Sequence, residues 1–398
     1  MGAKDWLGAP LRAKLDVAVL GLQRRVIAGS LPCTRLSLEL LRDLVVSLRF
    51  RGPGEMMGAV RRLGEELLGA SSTELCIGNV VRRVLFIIRE ETARAATDDS
   101  APAASNQREN RSRNNSQEDS LDGEELAESS DQPVDDMMDS FSNRSLLGSI
   151  TNASGLSEKD PSLFVRRMGV LRQAVLHAIN ELCEELDNLT VPICDQSPEY
   201  IHADECIFTF GHSPLVESFL KAAARKRRFS LIVAEGGPTL EGHRLASSLS
   251  KIANISTTLV PDSSVYAIMS RVNKVIVSPL AVLADGGMIA PSGCEMVAIA
   301  AKDFSVPIVC LASTFMLSPV FAHNHAEVLS QLLSPALVMD YSTPIKAEAV
   351  EIIVAAFDYV PPHLIDAYIT NNGTHQPSYI YRLLSEYYHP ADNDLGFA

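Results

Sequence analysis

The sequence predicts an α/β protein, in which a helical N-terminal domain over residues 1–198 precedes a doubly wound parallel-sheet domain over residues 199–398. Three observations support this prediction. Before about residue 200, apolar residues repeat at three- and four-residue spacing, which is typical of amphipathic helices. After it, short apolar runs alternate with helical stretches. With 398 residues, the chain also has enough material for two hydrophobic cores.

The N-terminal helices are predicted from their apolar periodicity. It is visible at residues 36–49 and 57–68 and is clearest at 79–91. In that last stretch, one apolar stripe is formed by Val80, Val81, Val84, Leu85 and Ile88. Another amphipathic helix, at 164–189, is expected to pack against the earlier ones. The helical domain is therefore predicted to continue on both sides of the segment that separates them.

That separating segment, at about 97–160, is polar and acidic. Between Thr97 and Asp160, fifteen acidic residues outnumber five basic ones, so the segment carries -10 of the formal net charge of -14. Such a composition buries too little apolar surface to offset the entropy of ordering the chain. We expect a disordered acidic insertion. The alternative is an acidic interaction segment that is regulated by phosphorylation of its many serines.

The second half is predicted to form a parallel sheet with helices on both faces. Its predicted strands cover residues 206–210, 231–234, 257–260, 274–277 and 307–311. Its predicted helices cover residues 214–228, 240–252, 264–271 and 294–303. Because strand–helix–strand crossovers are right-handed, this alternation indicates a Rossmann-like domain. In such sheets ligands bind at the carboxyl ends of the strands.

Few side chains suited to catalysis follow those strands. The first turn, FGHS at 210–213, lacks the GxGxxG dinucleotide pattern, and the sequence holds no GxxxxGK[ST] phosphate loop. His212 has no orienting partner that the sequence identifies, and Asp262 is interpreted as a helix cap. Since His323 and His325 are interpreted as lacking a carboxylate or Cys at ligand spacing, no metal is predicted, and no cofactor is predicted either.

Composition argues against several further classes of function. The chain has 35 basic residues against 49 acidic ones, which disfavours direct binding to nucleic acid. No apolar run reaches the ~18 residues of a membrane span, and the first residues lack the apolar core of a signal peptide. The seven cysteines include no CxxC pair and are expected to be free thiols in a reducing cytosol.

The C-terminal region is rich in tyrosine, with six of the chain's nine tyrosines at or after residue 359. Tyrosine and arginine are enriched at protein interfaces, so this region is predicted to contact a partner. The alternative is that about half of these tyrosines cover the core of the sheet itself. The interface candidates are Phe357, Asp358, Tyr359, Pro361, Tyr379, Tyr381 and Arg382.

Several motifs carry a resemblance to a known family. The most specific are FDYVPP at 357–362 and PSYIYRL at 377–383, and GNVVRRVL at 78–85 adds to them. Shorter matches lie at 88–91, 178–182, 219–227 and 269–276. On these motifs the chain resembles the alpha/beta/delta family of subunits of translation initiation factor 2B, the guanine-nucleotide exchange factor for initiation factor 2. Within that family it is most similar to the beta branch.

The resemblance implies a regulatory subunit that is not an enzyme and uses no cofactor. In this family the alpha, beta and delta subunits pair through their Rossmann-like domains, and gamma and epsilon complete the complex. Delta is therefore the first expected partner. The helical domains are implied to contact the alpha subunit of initiation factor 2 and to sense its phosphorylation. The partner-binding candidates there are Arg82, Arg83 and Arg89, for which a solvated helix face is the simpler interpretation.

An alternative function follows from the same family, because it resembles sugar-phosphate isomerases of the methylthioribose-1-phosphate and ribose-bisphosphate types. The isomerase pattern implies a catalytic Cys where this chain has Gly211, a catalytic Asp where it has Leu280, and an Arg where it has Gly237. Moving a proton between adjacent carbons needs a titrating group, which neither glycine nor leucine supplies. Isomerisation is therefore disfavoured, while a vestigial small-ligand pocket stays open as an alternative.

Overall fold

The computed structural model describes residues 7–27, 29–71, 73–98, 161–321, 331–341, 350–393 and 395. The chain divides into two compact units, of which one comprises Met1–Thr92 with Leu171–Ala398 and the other Ala93–Val170. From residue 99 onward, the predicted insertion at 97–160 lies outside the described residues. The N-terminal helices up to Thr92 and the whole sheet region belong to the first unit, and a domain boundary near residue 198 stays a prediction.

Seven helices precede the first strand in the described part of the chain. They are α1 (Ala9–Gln23), α2 (Ser30–Ser47), α3 (Pro53–Ala70), α4 (Leu75–Asp98), α5 (Pro161–Asn188), α6 (Thr190–Asp195) and α7 (Ser197–Tyr200). All five members of the predicted apolar stripe on α4 are buried. Helix α5 lies against α2, where the Arg172 Nε donates to the Val45 carbonyl oxygen at 2.8 Å. The helical N-terminal region is thus confirmed.

The sheet region follows. Its strands are β1 (Cys206–Phe210), β2 (Phe229–Ala234), β3 (Ile255–Val260), β4 (Lys274–Val277), β5 (Ala281–Val282), β6 (Met288–Pro291), β7 (Ile308–Leu311), β8 (Phe357–Val360), β9 (Ala367–Thr370) and β10 (Gly373–His375). Its helices are α8 (Pro214–Ala224), α9 (Glu241–Leu249), α10 (Val265–Met269), α11 (Cys294–Asp303) and α12 (Ile380–Tyr387).

The main sheet has the order β10-β9-β7-β4-β1-β2-β3. Its pairs are parallel except for β10 with β9. The chain runs outward from β1 to β3, then returns to β4 and runs the other way, so the strand order reverses between β1 and β4. With right-handed crossovers, α8 and α9 cover one face, and α10 and α11 cover the other. This is the predicted doubly wound, Rossmann-like arrangement.

A second, smaller sheet was not among the predictions. Its order is β5-β6-β8, and all its pairs are antiparallel. The predicted interface motif FDYV forms β8, in which Tyr359 pairs with Ile289 of β6. These strands are only two to four residues long, which is too short for a period-two pattern to identify them. Among the described helices, none is long and apolar enough to cross a membrane.

Candidate functional site

The three predicted arginines of α4 bind a C-terminal segment of the same chain. Arg82, interpreted from sequence as part of a solvated face, is only 6% exposed. Its Nε lies 3.3 Å from the carbonyl oxygens of both Asp392 and Asn393, and its Nη2 lies 3.1 Å from that of Asn393. The solvated-face interpretation is therefore wrong for Arg82, because its guanidinium satisfies backbone carbonyls where the chain turns away from α12.

Asp392 is the centre of this contact, and its side chain is fully buried. It accepts hydrogen bonds from Arg89 Nε at 2.8 Å, from Arg89 Nη2 at 3.0 Å and from Arg61 Nη2 at 2.6 Å. Burial alone would raise the pKa of this carboxyl, but the hydrogen bonds and charges of Arg89 and Arg61 hold it below its ordinary value. Hydrogen bonds between a buried carboxylate and guanidinium groups are strong and geometrically specific.

Arg83 completes the group, which we call the C-terminal clamp (Arg61, Arg82, Arg83, Arg89 and Asp392). The Arg83 Nη1 donates to the Tyr387 carbonyl oxygen at 3.3 Å, and its guanidinium carbon lies 5.0 Å from the centre of the Tyr387 ring. The clamp thus joins α3 and α4 to the segment that follows α12. Binding of a partner protein through these arginines stays a prediction, and in this structure their donors face the chain's own C-terminal segment.

Half of the six C-terminal tyrosines serve the interior, as the alternative interpretation expected. The buried hydroxyl groups of Tyr368 and Tyr388 donate to the carbonyl oxygens of Gly286 and Leu317 at 2.9 and 2.8 Å. Tyr359 is 7% exposed, and its hydroxyl donates to Asp285 Oδ2 at 2.5 Å. Burial raises the pKa of all three phenols. Tyr359 therefore has a role in the interior, and little of its side chain is exposed for contact with a partner.

Three of the remaining interface candidates lie in β8 or directly after it. Asp358 accepts hydrogen bonds from the backbone N–H of Gly293 at 2.6 Å and of Glu295 at 3.3 Å, so it closes the start of α11. Phe357 and Pro361 are half-buried beside it. Asp358 of β8 therefore stabilises the turn between β6 and α11.

Exposed aromatic side chains gather at the start of α12. Tyr381 is 64% exposed and lies 6.3 Å from Phe321 between ring centres. Tyr379 stacks on His375 at 5.3 Å, and the Arg382 guanidinium lies 5.8 Å above the Tyr379 ring. We call these five residues the tyrosine surface. It offers the aromatic and arginine side chains that dominate many protein interfaces, and the interface role of Tyr379, Tyr381 and Arg382 stays a prediction.

Carboxylates and backbone groups occupy some of the strand ends, where a Rossmann-like sheet would bind a ligand. Gly211 directly follows β1 with a φ of +69°, a conformation that favours glycine. Asp262 accepts hydrogen bonds from the backbone N–H groups of Gly236 at 3.0 Å and Gly237 at 2.7 Å. The prediction that Asp262 caps its own helix is wrong, because its side chain reaches across to the turn after β2. Leu280 donates its backbone N–H to the Ile289 carbonyl at 2.8 Å.

These contacts bear on small-ligand chemistry. Exposed backbone N–H groups at strand ends and helix starts are what a phosphate would bind. Here the chain's own carboxylates use such groups, Asp262 after β2 and Asp358 at the start of α11. Within the described part of the chain, no group of three or more His, Cys, Asp or Glu residues is placed to hold a metal ion. At these two places the backbone donors are therefore occupied by the chain's own carboxylates.

A hydrogen-bonded cluster beside β1 supplies the partner that the sequence did not identify for His212. The His212 Nε2 lies 3.2 Å from Glu217 Oε2, and Glu217 also accepts from Lys221 Nζ at 2.5 Å and from the Ser248 hydroxyl. Burial alone would raise the pKa of Glu217, but the hydrogen bonds from Lys221, Ser248 and His212 lower it to about 2. The only feature of the sequence that pointed to this partner was the position of Glu217 in the first turn of α8.

We expect Glu217→Gln to change how stability depends on pH. The native pKa of about 2 lies below the ordinary value of 4.5, so the carboxylate stabilises the fold above about pH 4.5 and this effect is lost as pH falls towards 2. Chemical unfolding of the wild type should therefore show a steeper loss of stability between pH 5 and pH 2 than unfolding of the variant. The exposed Glu199→Gln should follow the wild type. Parallel curves for wild type and Glu217→Gln would contradict this assignment.

Comparison with known proteins assigns the chain to a family. The model of the Initiation factor 2 subunit family matches residues 26–377. The chain is 39% identical over 398 residues to the translation initiation factor eIF2B subunit beta of Dictyostelium discoideum, an alignment that covers 94% of this chain and 95% of that one. It is 34% identical over 383 residues to the protein of the same name from Schizosaccharomyces pombe, with 95% of this chain and 96% of that one covered.

Solved structures share the fold. The crystal structure of eIF2B beta from Chaetomium thermophilum has a TM-score of 0.69 and 25% identity, covering 96% of this chain and 94% of that one. A chain of the tetrameric eIF2B-beta2-delta2 complex from C. thermophilum has a TM-score of 0.66 at 23% identity, with 95% of each chain covered.

Isomerases are more distant relatives. The ribose 1,5-bisphosphate isomerase of Haloferax volcanii is 28% identical over 217 residues, which is 54% of this chain and 67% of that protein. By contrast, the two subunits named above align almost end to end and exceed 30% identity. Together with the family model, which spans most of the sequence, they show that this chain belongs to the Initiation factor 2 subunit family.

Proposed function

We propose that this chain is a regulatory, non-catalytic subunit of the guanine-nucleotide exchange complex that recycles the GTP-binding translation initiation factor. The observation that carries the proposal is its similarity to two eIF2B beta subunits over 94% and 95% of its length. Its partners are the alpha, gamma, delta and epsilon subunits. Delta comes first, since the C. thermophilum complex with this fold holds two beta and two delta chains.

The strand ends support a role without catalysis. Gly211 and Leu280 occupy the positions where the isomerase pattern places a Cys and an Asp, and Gly237 replaces its Arg. The neighbouring backbone donors are already used by Asp262 and Asp358. A site without a titrating group at the reacting carbons is poorly suited to isomerising an aldose phosphate.

Sensing of phosphorylation on the alpha subunit of initiation factor 2 belongs to the same proposal, as does location in the cytosol. The helical region is the proposed contact surface. Arg82, Arg83 and Arg89 bind the C-terminal segment of this chain. We therefore infer that they influence the contact with initiation factor 2 indirectly, by fixing the position of α4. Exposed residues of the helices would then meet the partner.

Co-expression tests the function directly. The tagged full chain is expressed with the other four subunits, and the purified complex is weighed and assayed for nucleotide exchange on initiation factor 2. We expect stoichiometric co-purification and exchange that depends on this chain for its response to the phosphorylated alpha subunit. Failure to co-purify would contradict the proposal. Turnover of methylthioribose-1-phosphate or ribose 1,5-bisphosphate by the isolated chain would instead favour the isomerase alternative.

The tyrosine surface is the proposed contact with delta, and a double variant tests it. Tyr379→Ala with Arg382→Glu removes an exposed aromatic ring and reverses the charge stacked on it. A hot-spot tyrosine or arginine is often worth about 2 kcal/mol, so the loss of one such residue should weaken binding to the delta subunit roughly 30-fold. Tyr341→Ala with Arg225→Glu, two exposed residues elsewhere, is the control. Unchanged delta binding by the first variant would exclude this surface.

A further inference from the structure

His375 is the histidine of the tyrosine surface, and it supports the aromatic rings there from below. It belongs to β10, the strand at one end of the main sheet, where it pairs with Tyr368 of β9. Its ring stacks on that of Tyr379 at 5.3 Å, with only 11° between the two planes. The Arg382 guanidinium lies over the same Tyr379 ring. The position of Tyr379 and Arg382 therefore depends in part on the state of this imidazole.

The Nε2 atom of His375 is buried and has no hydrogen-bond partner among the residues that the structure describes. A neutral imidazole tolerates this environment, because it can carry its single hydrogen on Nδ1. An imidazolium carries a hydrogen on both nitrogens, so protonation would leave a charged N–H donor buried without an acceptor. The surroundings of Nε2 therefore select the neutral ring.

Titratable and charged groups approach His375 from three elements. Tyr368 lies opposite on β9, Tyr379 stacks on the ring from the turn before α12, and α12 itself contributes Arg382 and Glu386. Burial lowers the pKa of His375 from its ordinary value of 6.5, against the charge of Glu386, which raises it. The stabilising effect of the neutral ring is thus fully present above about pH 6.5 and is lost as pH falls through the native pKa.

A partner on the tyrosine surface would strengthen this preference for the neutral ring. His375 is half-buried, so part of its side chain still meets water. A subunit seated on Tyr379 would remove water from that ring and from the imidazole beneath it, and the loss of water disfavours the charged imidazole further. By linkage, a proton and the partner then oppose each other, because each binds less well when the other is present.

We propose that His375 is a proton switch for the contact with delta: the neutral imidazole allows the delta subunit to bind at the tyrosine surface, and protonation in mild acid weakens that binding. The inference rests on the proposed function, which places delta at this surface. Histidine is the side chain whose ordinary pKa lies closest to neutral pH, so a modest acidification is enough to operate such a switch. Assembly of the chain with delta thereby becomes sensitive to the pH of its surroundings.

The affinity for delta at two pH values tests the switch. The full chain is mixed with the delta subunit, and dissociation is measured by mass photometry at pH 7.5 and pH 5.5 at one ionic strength. Binding of the wild type should weaken roughly fivefold at the lower pH. His375→Phe keeps a ring for stacking and loses no hydrogen bond at Nε2. Its two affinities should agree within about twofold, since no imidazole is left to titrate.

Two further variants complete this experiment. His375→Gln is a second side chain that takes up no proton, so a folding defect in His375→Phe, detected by thermal unfolding at pH 7.5, leaves the comparison intact. His363→Gln is the matched control, because His363 is an exposed histidine in the turn after β8. It should retain the pH response of the wild type.

Protonation of His375 can also be followed directly. Hydrogen–deuterium exchange at the imidazole C2 carbon, measured by mass spectrometry, gives the pKa of His375 in the free chain and in the complex with delta. We expect the lower pKa in the complex. An equal or higher pKa there, or a fivefold pH effect that persists in both uncharged variants, would overturn the switch and leave the proposed function intact. If Tyr379→Ala with Arg382→Glu bound delta like the wild type, both the proposed delta contact and the switch would be excluded.

Discussion

Replacing Asp392 with asparagine is expected to lower the free energy of unfolding by about 3 kcal/mol. Removing one partner of a buried ion pair typically has an effect of ~3–5 kcal/mol, because the other charge is left without compensation. Arg61 and Arg89 keep some access to water, with side chains 39% and 26% exposed, so the low end of that range applies. Urea unfolding of the full chain at pH 7 measures the difference.

A surface pair provides the comparison for Asp392→Asn. Lys14 Nζ lies 2.6 Å from Asp43 Oδ2, and the side chains are 64% and 29% exposed. Asp43→Asn should therefore change stability by less than about 1 kcal/mol, since water already solvates both charges. Equal effects of the two substitutions would mean that burial does not strengthen the clamp.

The clamp also predicts a dependence on pH. The native pKa of Asp392 lies below its ordinary value of 3.8, so the carboxylate stabilises the fold above about pH 4, and the effect is lost as pH falls through the native pKa. The difference in stability between wild type and Asp392→Asn should consequently shrink in acid. A difference that stays constant from pH 7 to pH 3 would show that the arginines do not favour the charged form.

Gly242→Ala is expected to destabilise the sheet region by at least about 3 kcal/mol. A Cβ at this position would lie 1.9 Å from the Ala234 carbonyl oxygen and 2.9 Å from the Glu235 Cα. Both are backbone atoms at the end of β2, which cannot move aside as a flexible side chain would. Overpacking usually has an effect of ~1–3 kcal/mol, and a clash with fixed backbone belongs at its upper end or beyond. Thermal and urea unfolding, with the yield of folded protein, measure the effect.

The control for Gly242→Ala has the opposite expected sign. Gly58 lies within α3, and a Cβ there would meet no heavy atom within 4 Å. Because alanine favours the helix over glycine by ~0.5–1 kcal/mol, Gly58→Ala should stabilise the protein slightly. If both substitutions had the same effect, the close approach of α9 to β2 would not explain the glycine.

Local periodicity was sufficient to predict the N-terminal helices and the first five strands of the parallel sheet, as the α4 stripe and the strand–helix alternation demonstrate, but not the small antiparallel sheet. It could not predict pairs that are distant in sequence. Arg89 and Asp392 are separated by 303 positions, and neither residue carries a local signal of the other. One hint for Arg82 was available, since it lies between Val81 and Val84 on a helix whose buried face is wide. Asp262 was misassigned because a carboxylate at a helix start usually caps that helix, whereas here the adjacent turn offered two unpaired N–H groups.

The clamp has a consequence for the order in which the newly made chain can fold. Helix α4 emerges from the ribosome early, and its apolar stripe can begin to pack as soon as α3 has formed. The carboxylate that neutralises Arg61 and Arg89 is synthesised some 300 residues later. Until then Arg61 and Arg89 lack the carboxylate that both of them bind in the folded protein. Folding of this region can therefore be completed only after nearly the whole polypeptide has been synthesised, so the contact between α4 and Asp392 forms late.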